Sequence, residues 1–280
     1  RRSHRPGADR LPIAHPIAAD MHLKGMLRPL FAALALSACA TAPESSSPVG
    51  RLYHYVRSNH DGSLPEQIYQ YRASAARLEV GKMVSNCTNA AFVTADLDLA
   101  RGQPRELVGG RLGRDLNQEA FAWLTYDAAS RELHARIPQA GIDTRVSVDG
   151  EPWIIYDFDL SELNARFAGR APVREDFRFA VTLIWPEEGA ASPFRNLGWA
   201  NARFAGAEPR LGRDAVRFEV SGGLNGRLWL DAREGHVLEA SFAEPNHMEY
   251  ENFRLVLQSI EDDGAASWRE ARAAHWRACP

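Results

Sequence analysis

Leu228-Trp-Leu-Asp-Ala-Arg-Glu-Gly-His-Val-Leu-Glu-Ala240 reads as two short alternating runs around an acidic turn that ends on a glycine. Successive side chains of a strand point to opposite faces, so this period of two predicts a β-hairpin. The same grammar recurs along the chain. Arg51-Leu-Tyr-His-Tyr-Val-Arg57 sets Leu52, His54 and Val56 on one face and Tyr53 and Tyr55 on the other. Similar runs fall at 67–72, 76–80, 91–97, 106–108, 121–126, 132–137 and 153–160, then at 177–185, 201–204, 215–220, 226–230, 237–242 and 253–260. Asn59-His-Asp-Gly62, Asp149-Gly150 and Asp262-Asp-Gly264 are among the turn signals between them.

Short strands broken by small polar residues every dozen or so positions describe an antiparallel meander. Helical patterns do not alternate with them, which argues against a doubly wound α/β fold. The predicted fold class is mainly β: one large curved antiparallel sheet, a half-barrel or open barrel, with one or two short helices. The helices are expected at 157–167 and 267–279. The β domain is expected to span 51–266, with a helical tail over 267–280.

The composition agrees with a globular chain. Of 280 residues, 45% are hydrophobic and 25% charged, which excludes collagen, a coiled coil and a wholly disordered chain. The formal charge of -3 argues against nucleic acid as a partner, because there is no basic excess to displace counterions from phosphates.

Ahead of the strands, His22 and Lys24 precede Met26-Leu-Arg-Pro-Leu-Phe-Ala-Ala-Leu-Ala-Leu-Ser-Ala-Cys39. A basic start, a short apolar run and small residues form secretory-signal grammar. The apolar run would span roughly 14 Å as a helix, about half the hydrocarbon thickness of a bilayer, so it does not read as a transmembrane anchor. Leu36-Ser37-Ala38-Cys39 resembles the lipobox of bacterial lipoproteins. The resemblance implies that Cys39 is acylated, that the peptide before it is removed, and that the membrane is a partner through the acyl chains. Residues 1–20 contain no methionine, and the start is expected at Met21 or Met26, so 1–38 are assigned to upstream residues and signal peptide. Residues 39–50, with two prolines and small polar side chains, read as a lipidated tether. The residue after Cys39 is not Asp, which resembles lipoproteins sent to the periplasmic face of the outer membrane.

The hairpin at 228–240 is similar to late hairpins of periplasmic half-barrel proteins, including the lipoprotein-carrier and receptor family. That resemblance implies a strongly curved sheet wrapped around a helix, with an apolar groove for acyl chains. The chain departs from it in showing no long amphipathic helix in its first half to plug the sheet.

With Cys39 assigned to lipid, Cys87 and Cys279 remain as a candidate disulfide in a compartment that permits one. Two unpaired cysteines are the alternative. Catalytic signals are sparse. Asp157 and Asp159 alternate with Tyr156 and Phe158, so a strand would place both carboxylates on one face as a cation or acid/base pair; a solvated strand face is the preferred reading. Asp96 and Asp98 repeat the spacing. His247 and Glu249 would share a strand face as metal ligands, with Glu251 nearby, but no third histidine accompanies them and no metal is assigned. His54, His60 and Asp61 lack a glycine-framed nucleophile. The Gly-Gly pairs at 109 and 222 introduce no phosphate loop, so no cofactor is assigned. Seven tryptophans, at 123, 153, 185, 199, 229, 268 and 276, supply core or an apolar groove.

These residues lead to the expectation of a noncatalytic envelope lipoprotein that binds an apolar ligand, such as a lipid, or an envelope protein partner. The alternatives are a periplasmic hydrolase or metal-dependent enzyme, and a structural outer-membrane assembly factor.

Overall fold

The alternating runs pair into one sheet in the computed structural model of the chain, which describes residues 47–170, 174–186 and 192–280. Cys39 and the signal peptide lie outside the described residues. The strands are Leu52–Ser58 (β1), Glu66–Arg72 (β2), Arg77–Met83 (β3), Ala91–Asp98 (β4) and Gln103–Leu112 (β5). Gln118–Asp127 (β6), Glu132–Ile137 (β7), Ile142–Ser147 (β8), Trp153–Ile155 (β9) and Phe177–Ile184 (β10) follow. The last are Phe194–Arg210 (β11), Arg213–Gly222 (β12), Gly226–Asp231 (β13), Val237–Phe242 (β14) and Phe253–Glu261 (β15).

Each strand pairs with its sequence neighbour except at two places. β1 pairs with β15 as well as β2, so the first and last strands meet in mid-sheet, with Val56 opposite both Gln67 and Val256. The consecutive strands β8 and β9 are instead the two edges. The sheet is therefore open and antiparallel, apart from the parallel β9–β10 pair. At one point the seam is bridged by side chains: Asn196 Nδ2 donates to the Ser147 carbonyl over 2.7 Å.

The parallel pair arises because the chain leaves the sheet after β9. The expected strand over 153–160 ends at Ile155. Tyr156–Phe158 forms a 3₁₀ turn, and the helix Ser161–Phe167 (α1) follows. Trp153, Ile154, Ile155, Tyr156, Phe158, Leu160, Leu163 and Phe167 are all buried in the main core with Tyr53, Tyr55 and Ile68 of the sheet. This segment is the plug, and it comes from the middle of the chain as an irregular turn with a seven-residue helix.

A second cluster lies on the outer face, where Gly264–Trp276 (α2) packs Trp268 against Leu52, Met83, Phe92 and Leu112. Gly81 makes room for it, since a Cβ there would sit 2.4 Å from Trp268 Cη2. The Trp268 Nε1–H donates to Glu79 over 2.7 Å. Cys87 and Cys279 are joined by a disulfide with Cα atoms 5.3 Å apart, which ties the end of α2 to the β3–β4 loop. The Cys87 N–H donates to the His275 carbonyl beside it.

The bridge spans 192 residues of sequence. A cross-link over so long a loop restricts the unfolded chain by about 5 kcal/mol in the chain-entropy account. Reduction is expected to lower the calorimetric unfolding midpoint, and Cys279→Ser to lower it equally without further response to reductant. A midpoint indifferent to both would show that the bridge does not stabilise the fold.

Candidate functional site

The plug places a carboxylate where water cannot reach it. Asp159 and Leu160 both adopt left-handed backbone conformations, with φ of 54° and 58°. Such conformations are uncommon outside glycine, and aspartate tolerates them better than leucine. Their position is held from several sides. Gln70 Nε2 donates to the Asp159 carbonyl over 3.0 Å, and Asn164 of α1 donates to Gln70 over 2.9 Å. The Val237 N–H donates to Asn164 Oδ1 over 3.0 Å, so β2, β14 and α1 are locked to one another beneath the turn.

Around the Asp159 side chain converge three donors distant in sequence. Arg57 Nη1 of β1 lies 2.9 Å from Oδ1, Lys82 Nζ of β3 lies 2.9 Å from Oδ2, and Asn246 Nδ2 lies 2.8 Å from Oδ1. Arg57 also pairs with Glu66 and lies over the Tyr250 ring, 4.8 Å from its centroid. Lys82 donates in addition to the Asp157 carbonyl. Two cations and two carboxylates thus neutralise one another in the interior.

The surroundings then set the protonation of their neighbours. Burial alone would raise the Asp159 pKa, but Arg57 and Lys82 outweigh it and hold the carboxyl well below its ordinary value. On Glu162 the pull of Lys82 is weak, and burial pushes it up to about 8. One of its oxygens accepts the Ile155 N–H over 2.9 Å. Burial also raises Asp157 to about 6, against the pull of Lys82. His247 is lowered to about 2, first by burial and then by repulsion from Lys82 and Arg57, so the imidazole is neutral.

Beside this network is a cavity of about 240 Å³ between the plug and the inner faces of β4, β5 and β6. Val93, Leu107, Ala122 and Leu124 form its wall, Ile155 and Phe158 its floor, and Lys82, Asp157 and His247 its polar end. Phe121, Ile137 and Ile184, all partly exposed, complete the lining. Gly109 and Gly110 keep the wall thin where β6 bulges at Phe121 against β5. A Cβ on Gly109 would lie 3.3 Å from Ala122 Cβ. A larger depression of about 340 Å³, at Arg213, Asp214, Asp231 and Arg233, is polar. Its charges already pair as Arg213–Asp231 and Arg233–Asp214.

The expected carboxylate face is corrected here. Asp157 and Asp159 do not share a solvated strand face, because the strand has ended and the left-handed residues turn Asp159 wholly inward. Of the residues weighed as metal ligands, the fold brings Asp157, Asp159 and His247 together, while Glu249 is exposed. Among the described residues no three His, Cys, Asp or Glu side chains are grouped to hold a metal. Asp96 pairs with Arg77, and Asp98 caps the turn to Arg101. His54 stacks on Tyr69 of the outer face, and His60 contacts Ser241 instead. Trp153, Trp229 and Trp268 are buried, and the aromatic rings that line the cavity are Phe121 and Phe158.

No protein-family model and no curated protein matches this chain.

Two stability predictions follow from the network. Asp159→Ala would strand Arg57 and Lys82 without their shared partner, and breaking such a buried pair destabilises by about 3–5 kcal/mol. Urea unfolding should show that loss; a shift comparable to that of an exposed substitution would contradict it. Glu162 gives the second. Its folded pKa of about 8 exceeds its ordinary 4.5, so its contribution is fully present at low pH and is lost as pH rises through that window. Glu162→Gln keeps an acceptor for the Ile155 N–H and should unfold at higher urea than the wild type near pH 8.5, with a smaller difference near pH 5.5.

Proposed function

We propose that the protein is a noncatalytic envelope lipoprotein, held to the membrane by acylated Cys39, whose β domain binds an apolar ligand in the cavity between the plug and strands β4–β6. The observation that carries the reading is the cavity itself: concave, about 240 Å³, and lined mainly by apolar side chains with three polar residues at one end. Ligand sites are built in this way, with an apolar wall for affinity and a few polar groups for orientation. An engineered apolar cavity of roughly 150 Å³ admits benzene, so the space suits a ligand of about ten non-hydrogen atoms.

The lipobox-like Leu36-Ser37-Ala38-Cys39 supports the envelope assignment, and the Cys87–Cys279 bridge is compatible with an oxidising compartment. Among the described residues no helix is long and apolar enough to cross a membrane, so the acyl anchor is the attachment the reading requires.

Intact mass spectrometry of protein purified in detergent from its native membrane should give an amino terminus at Cys39 with added acyl mass. An unmodified Cys39 would sink the anchor. Ligand binding is tested separately by displacement of a polarity-sensitive fluorophore. The wild type should take up the probe and release it to short-chain alcohols, and Val93→Trp, which fills the cavity wall, should reduce uptake at least about fivefold with the fold retained. Equal uptake by the two proteins would place the ligand elsewhere.

A further inference from the structure

The polar end of the cavity is unbalanced in both hydrogen bonding and charge. Asp157 receives the Ile184 N–H on its carboxylate, but Oδ1 is buried with no hydrogen-bond partner. The neutral His247 ring lies beside the Asp157 backbone carbonyl, and its Nε2 is likewise buried without a partner, an acceptor when the ring's one N–H is on Nδ1. The third polar residue, Lys82, directs its ammonium at Asp159 Oδ2 and the Asp157 carbonyl. Two acceptors without a hydrogen-bond partner therefore border a largely apolar space, whose other polar lining group, Lys82, is engaged with Asp159 and the Asp157 carbonyl. Leaving buried acceptors unmatched is costly, whereas an occupant that presents donors would satisfy them.

The charges point the same way. Arg57 and Lys82 are matched by Asp159 and Glu66, and Glu162 retains its proton near neutrality. Asp157 is the remaining carboxylate. Above its own titration it adds one negative charge, at the cavity lining, to a network whose other charges are matched. Lys82, the cation at this end, is paired with Asp159, so an incoming carboxylate would meet the Asp157 charge and two acceptors, while an ammonium group would find partners in them.

We propose that the ligand of this cavity is an apolar molecule of about ten non-hydrogen atoms that carries a primary ammonium group at the end facing Asp157 and His247. The inference rests on the reading of the cavity as an apolar-ligand site, and it specifies the head group.

The test compares octylamine, octan-1-ol and octanoate, which have eight carbons each and differ in the head, by isothermal titration against the full-length protein at pH 7.5 and below their micellar concentrations. Octylammonium is expected to bind at least about tenfold more tightly than octanoate, with octanol between them. Asp157→Asn keeps the shape and removes the charge, so it should bring the three affinities within about threefold while leaving octanol little changed. Octanoate binding as well as or better than octylammonium would overturn the head-group assignment and leave the cavity reading standing, as would a preference that persists in Asp157→Asn. Binding of none of the three would overturn both. Should the variant fail to fold, the ranking in the wild type decides alone.

Discussion

A carboxylate cannot remain ionised in a protein interior unless donors and opposite charge replace the water it has lost, and Asp159 is surrounded on those terms. Its partners come from β1, from β3 and from the connection between β14 and β15. These elements lie on both sides of the β1–β15 pairing, where the first and last strands meet. The ion cluster therefore draws the two halves of the sheet onto the same point of the plug. It also accounts for the backbone there. Two successive non-glycine residues in the left-handed region are unfavourable locally, and the side chain and carbonyl of Asp159 are both anchored where a relaxed turn would release them.

The plug explains why the sheet remains open. A meander of this length could close by pairing its edges, yet β9 is only three residues long and is followed at once by the turn into the interior. The chain that might have extended β9 along β8 instead fills the space within the curl. Closure is left to side chains such as Asn196 at Ser147, and to the ring contact between Tyr126 of β6 and Trp153 of β9, with centroids 5.1 Å apart. The cavity lies along the same boundary, where apolar strand faces meet an irregular segment that does not fill all the room beside them.

Most of the strands were legible because one face of an antiparallel sheet faces the core, and alternation records that directly. Tyr53 and Tyr55 fall in the inner cluster and Leu52 in the outer one, as the pattern at 51–57 predicts. Legibility fails where alternation has another cause. Trp153 to Leu160 alternates like a strand, but its apolar positions and Asp159 are all buried, the latter because ions at Arg57 and Lys82 await it across separations such as 102 residues. No local pattern encodes a partner so remote. β8 was missed because its alternation is between exposed and half-buried residues without a strong apolar side. In β11 the alternation predicts only 201–204, because Gly198, Gly206 and Pro209 interrupt a strand that continues through them. The glycine pair at 109 and 110 did carry a signal. Glycine within a strand marks a bulge or a close approach, and here it marks both, at the cavity wall.

Asp157 joins the two parts of the interior. Its carbonyl accepts from Lys82, which is committed to Asp159, and its side chain belongs to the cavity. The peptide that carries the cavity-facing carboxylate is therefore fixed by the same cation that neutralises the plug. A side chain on a free loop would lose conformational entropy when a ligand fixed it; this one is positioned in advance by interactions the fold already requires. The arrangement also separates two roles of negative charge within three residues of sequence. Asp159 is ion-paired with two cations and serves the fold, while Asp157 makes no ion pair and lines the cavity. The difference between them comes from the left-handed turn at Asp159, which directs the first carboxylate into the ion cluster and leaves the second at the boundary of the cavity.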